Sequence, residues 1–174
     1  MKRAARYALP LAAISAAGFD EPADAADLFL SIDGVTGEST IPGHEGEIDV
    51  LAWSWGVATG VSGSAPTLND IKIIKGFDKA SPSLLLGALT GAPHQFAKLS
   101  VNVDDGQGGL LEYLKISLDN VIVSKVGEGG KQGEAPAETV TLNFSKITVE
   151  YLSDPVKGGT WDQVCWDVAQ QKGC

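Results

Sequence analysis

The residues able to do chemistry are few. Histidine occurs only at 44 and 94, and cysteine only at 165 and 174. Neither histidine has a neighbouring His, Cys or patterned carboxylate, so the spacing offers no metal ligand set. His44, beside Glu45 and Glu47, reads as a loop residue at a strand entry. Gly60-Val61-Ser62-Gly63 misses a nucleophile elbow by one residue. Gly129-Gly130-Lys131 is followed by Gln132 and lacks the first glycine of a phosphate loop. Asn102, Asp104 and Asp105 resemble the start of a calcium loop. However, Gln107 stands where that loop needs glycine, and Tyr113 where it needs a bidentate acid. A hairpin turn is the expectation there. The scattered carboxylates give no handle on a glycosidase pair. The chain therefore reads as a non-enzyme, with no catalytic residue, cofactor or metal.

Charge narrows the partners. The 174 residues carry 22 acidic and 13 basic groups, a formal net charge of −9. The only arginines are Arg3 and Arg6, so every cation beyond the first residues is lysine. An acidic domain without arginine is a poor partner for phosphate backbones and for anionic membrane surfaces. Nucleic acid is excluded as a partner. With 44% hydrophobic residues there is ample material for one globular core.

The N-terminus has the pattern of an export signal. Lys2, Arg3 and Arg6 form a positive start, residues 7–18 form an uncharged apolar run, and Ala23 and Ala25 supply small residues for cleavage. The run is too short to span a bilayer, which takes about 20 residues. Residues 50–69 are also uncharged, but Gly, Ser, Thr and Pro fill their second half, so no stable membrane insertion is expected. The reading is a signal peptide over 1–25, one domain over 26–174, and a secreted or periplasmic location. In an oxidising compartment Cys165 and Cys174 are expected to close a small disulfide loop, adding roughly 2–3 kcal/mol at best.

The elements that must position these groups are mostly strands. Leu28, Leu30 and Ile32 alternate, as do Leu99, Val101 and Val103. Leu51, Trp53, Trp55 and Val57 are expected to share a face, with Ser54 and Gly56 opposite. Leu114, Ile116 and Leu118 alternate, then the phase shifts to Val121 and Val123. Val140, Leu142 and Phe144 alternate, then shift to Ile147, Val149 and Tyr151. Two long strands that each change phase imply bulges and strong curvature, hence a compact β-barrel of curved antiparallel sheets. One short helix is expected around residues 84–89, with Ser81 at its cap, Pro82 early and Gly91 at its end.

The run Glu47-Ile48-Asp49-Val50-Leu51-Ala52-Trp53-Ser54-Trp55-Gly56 resembles the haemolysin-coregulated protein (Hcp) family, the tube subunits of bacterial type VI secretion. The likeness continues in order through Gly34-Val35-Thr36-Gly37, Phe77-Asp78-Lys79-Ala80-Ser81, Glu112-Tyr113-Leu114, Val121-Ile122-Val123, Glu138-Thr139-Val140 and Trp166-Asp167. It implies a compact barrel with one flanking helix, and hexameric rings that stack around a lumen able to carry small protein effectors. Trp53, Trp55, Gly56 and Trp166 are then motif and packing residues. Ser54, on the face opposite the tryptophans, is the candidate lumen-facing residue. The leader and Cys165, where the family usually has Gly, depart from the pattern. Three functions are compatible: a tube subunit; an exported Hcp-like scaffold or carrier ring acting outside a type VI machine; and a secreted carbohydrate-binding barrel using its tryptophans.

Overall fold

The structure, a computed structural model, describes residues 26–60 and 64–174. The leader and Ser62 lie outside the described residues. Chain order is β1 (Asp27–Ile32), β2 (Ile48–Ser54), β3 (Val57–Ala58), β4 (Thr67–Leu68), β5 (Ile71–Gly76), α1 (Ser81–Thr90), β6 (Pro93–Asp104), β7 (Leu110–Gly129), β8 (Ala137–Asn143), β9 (Lys146–Leu152), β10 (Trp161–Asp167) and β11 (Lys172–Gly173). All pairings are antiparallel. β1, β2, β5, β8, β7 and β6 follow one another around a ring that closes where β6 meets β1, giving a six-stranded barrel. β9, β10 and β11 extend from β7 as a side sheet, and β3 with β4 forms a separate ribbon. Alternate residues such as Leu30, Ile48, Ile73, Leu99, Val121 and Leu142 point inward and fill the core.

β7 belongs to both sheets, and the phase change in its sequence marks the fork. Leu114–Asp119 pairs with β9, whereas Ile122–Gly129 pairs with β8. Between them Asn120 has φ 50°. Asn tolerates this left-handed conformation better than most residues, and it moves the inward set from Ile116 and Leu118 to Val121 and Val123. The second phase change was expected inside one strand. Instead the chain breaks there, β8 ending at Asn143 and β9 beginning at Lys146. Ser145 ties both points together: its N–H donates to the Asp119 carbonyl (3.0 Å), its carbonyl accepts from Val168 N–H (2.9 Å), and its hydroxyl accepts from Asn120 Nδ2 (2.9 Å). Beyond the break the chain continues along β7 in the same register, Lys146 opposite Asp119 as Asn143 is opposite Ile122, so β9 leads from the barrel into the side sheet.

The helix ends as expected. Gly91 takes φ 65°, and its N–H donates to the Gly87 carbonyl at 2.8 Å. The start differs. Ser81 is the first helical residue rather than the cap, and Asp78 Oδ1 accepts the Ala80 N–H instead (2.8 Å). The Ser81 hydroxyl is turned inward because a buried charge pair claims it. Lys75 of β5 stands opposite Glu138 of β8, and both side chains are fully buried. Lys75 Nζ donates to Glu138 Oε1 (2.6 Å), Asp78 Oδ1 (2.7 Å), the Gly76 carbonyl (2.8 Å) and Ser81 Oγ (3.2 Å). Ser81 Oγ donates to Glu138 Oε1 (2.7 Å) and accepts the Asp78 N–H (3.0 Å). This network pins the helix start onto the barrel. The sequence reading missed it, although Ile71, Ile73 and Lys75 alternate, as do Glu138, Val140 and Leu142.

Candidate assembly surface

The Trp53–Trp55 stretch is positioned by a bulge. The β2–β5 register slips between Val50 and Ala52. Val50 is buried, Leu51 is 66% exposed and Ala52 is exposed, and Trp53 then pairs with fully buried Ile73. Leu51 therefore does not share the inward face of Trp53 and Trp55, as simple alternation would have it; the extra residue turns it to solvent. Val57, also grouped on that face, is 59% exposed. Trp53, Trp55 and Trp166 are half-buried and pack against the core. Gly56 turns the chain into β3, its carbonyl accepting the Asn69 N–H at 3.0 Å.

Two surfaces meet at Trp55. One is an open groove of about 300 Å³ between the β3–β4 ribbon and the side sheet. Its lining is wholly apolar: Trp55, Val57, Pro66 and Leu68 on one wall, Ile147, Val149, Val164 and Trp166 on the other. The second wall follows from register, since Val164 pairs with Val149 and Trp166 with Ile147. Val164 is 64% exposed. An exposed apolar groove is costly to leave in water and marks a contact surface. The other surface is a polar hollow lined by Ser54, Gly56, Asn69, Asp70, Lys72 and Thr141. Ser54 is exposed there and pairs with Lys72. Asp70 accepts from Ser124 Oγ (2.9 Å) and Asn143 Nδ2 (2.8 Å), which holds its carboxylate in place.

The remaining candidates hold structure. His44 stacks on Phe29 at 4.0 Å, and its Nδ1 hydrogen-bonds Glu47 Oε2 at 2.7 Å. His94 Nδ1 donates to the Asp33 carbonyl at 2.7 Å. Asn102 is buried within β6, whereas Asp104 and Asp105 accept turn N–H groups from Gly106, Gln107 and Gly109. The Gln107 and Gly109 amides hold the exposed Asp105 carboxyl below the usual carboxylate value. Cys165 and Cys174 are disulfide-bonded at 2.02 Å, on the face of β10 opposite the groove. Trp161 carries the Lys115 ammonium 4.3 Å above its ring. Among the described residues, no three His, Cys, Asp or Glu side chains gather into a metal site, and no helix is long and apolar enough to cross a membrane.

The sequence pattern of the family described as "Type VI secretion system effector, Hcp" matches residues 29–151. The chain belongs to the Hcp family. It is 38% identical over 158 residues to Protein hcp1 of Pseudomonas aeruginosa, covering 84% of this chain and 97% of that protein. The fold matches the crystal structure of Hcp1 from Salmonella typhimurium with a TM-score of 0.76 and 31% identity, covering 86% of this chain and 99% of that one. It also matches a type VI secretion system effector from Yersinia pestis with a TM-score of 0.71 and 33% identity, covering 82% and 100%. The matched pattern stops short of β10, so the disulfide and the Val164 and Trp166 part of one groove wall lie outside the matched residues.

Proposed function

We propose that the chain is the tube subunit of a type VI secretion machine. Copies close into a hexameric ring, rings stack into a tube, and the lumen carries small protein effectors. The carrying observation is the all-apolar groove beside Trp55 on a domain of the Hcp family. A closed ring needs two complementary patches on each copy, and the groove is a patch that association would take out of water. The reading assigns no catalytic residue. In the source bacterium, inactivating the contractile secretion machine should stop release of the protein. Undiminished release would contradict the tube role and favour the second reading, an exported carrier ring outside that machine. The leader and the disulfide favour that second reading.

In either ring Ser54 faces the lumen, since it stands in the polar hollow on the face opposite Trp53. Ser54→Gln should leave the oligomer intact and reduce co-purification of a small effector by about tenfold, the effect of roughly 1.4 kcal/mol. Loss of the oligomer would make Ser54 a packing residue instead. The leader is removed after Ala25, and the mature protein is secreted or periplasmic. Intact-mass measurement of protein from its native host should find Ala26 at the N-terminus; retention of Met1 would overturn this.

A further inference from the structure

The last six residues, 169–174, are held by little apart from one covalent bond. β11 is two residues long and meets β10 only at Trp166–Gly173 and Asp167–Lys172. The Cys174 N–H donates to the Cys165 carbonyl at a long 3.3 Å. The connecting turn is closed by Asp167, which accepts the Gln170 N–H (2.8 Å) and side-chain amide (3.0 Å). Gln171 sits at φ 51°, a conformation that most side chains resist. A two-residue strand with so few hydrogen bonds, joined through such a turn, frays unless it is tied. The firm non-covalent anchor comes before it: Val168 packs on the core and donates its N–H to Ser145. β10 is the outer strand of the side sheet apart from this cover, so its edge over residues 161–164 is already open.

We propose that the Cys165–Cys174 disulfide is a redox latch on the edge of β10. Closed, it holds β11 against Trp166 and Asp167. Opened, it releases residues 169–174 and leaves the whole edge of β10 unpaired, behind the groove wall that Val164 and Trp166 provide. Cys174 is exposed and Cys165 half-buried, so a dithiol's thiolate attacks Cys174 Sγ. The Sγ–Sγ bond breaks, and Cys165 leaves as a thiolate that takes up a proton. The dithiol's second sulfur, deprotonated, then attacks the mixed disulfide and leaves Cys174 as a thiol. Two electrons and two protons pass to the protein, and the dithiol departs as a disulfide. An unpaired strand edge is a template for pairing, so the latch makes this edge dependent on the compartment's thiol state.

The test compares hydrogen exchange in the oxidised chain, the chain reduced with dithiothreitol, and C165S/C174S. Residues 169–174 should exchange about tenfold faster or more in the second and third samples, with β6 and β7 unchanged. Dithiothreitol should do nothing further to the variant. Equal exchange of the tail before and after reduction would overturn the latch. So would loosening of the whole chain, which would make the disulfide a general staple. If the variant does not fold, the reduced wild-type chain decides. Particle mass in the same samples reports assembly separately, so failure of the ring does not pass for failure of the latch.

Discussion

Val164→Lys should abolish assembly and leave the fold untouched. Val164 is 64% exposed in the single chain, and substitutions at such sites usually change stability by no more than about 0.5 kcal/mol. In a ring closed through the groove the same position becomes apolar interior, walled by Val57, Val149 and Trp166. An ammonium placed there has no acceptor among these side chains, and an unpaired buried charge costs several kcal/mol. At about 1.4 kcal/mol per factor of ten, the dissociation constant should rise at least about a hundredfold. Val164→Ala removes only part of a side chain and should weaken assembly far less. Sedimentation of both variants against the parent, with circular dichroism to establish folding, checks this. A folded Val164→Lys protein that assembles like the parent would remove the groove from the interface.

Lys75→Met should cost about 3–5 kcal/mol of stability, the usual consequence of stranding one member of a buried ion pair. Glu138 is fully buried, takes both strong hydrogen bonds on Oε1, and has no partner in the structure for Oε2. Without Lys75 its charge faces only the Ser81 hydroxyl, and the helix start loosens with it. Adding Glu138→Leu removes the stranded charge and should restore most of the loss, since well-packed apolar replacements of buried pairs are often neutral. Denaturant midpoints at one fixed protein concentration measure both, because assembly would otherwise shift them. Equal stability of Lys75→Met and the parent would show that water reaches the pair.

Much of this architecture was legible in the sequence because it follows from local rules. The shift from Leu118 to Val121 identified the bend in β7, and Gly91 identified the end of α1. What escaped depends on contacts between distant segments. The phase change after Phe144 reads equally well as a bulge or as a break; Ser145, bonded to the Asp119 carbonyl across the fork, makes it a break. Leu51 looks inward by alternation, and only the slipped pairing with β5 turns it out. Ser81 reads as a cap until Lys75 and Glu138 are seen to claim its hydroxyl. The groove was invisible because its two walls, around residues 55–68 and 147–166, meet only in three dimensions. Trp55 and Trp166 stood out as a motif without revealing that they face the same space.

Native mass measurement of the chain from Ala26 onward shows whether this Hcp chain closes into a ring. Across a broad concentration range at moderate salt one dominant species of six protomers is expected, with no ladder of intermediate sizes. A particle that stays monomeric at high micromolar concentration would contradict it.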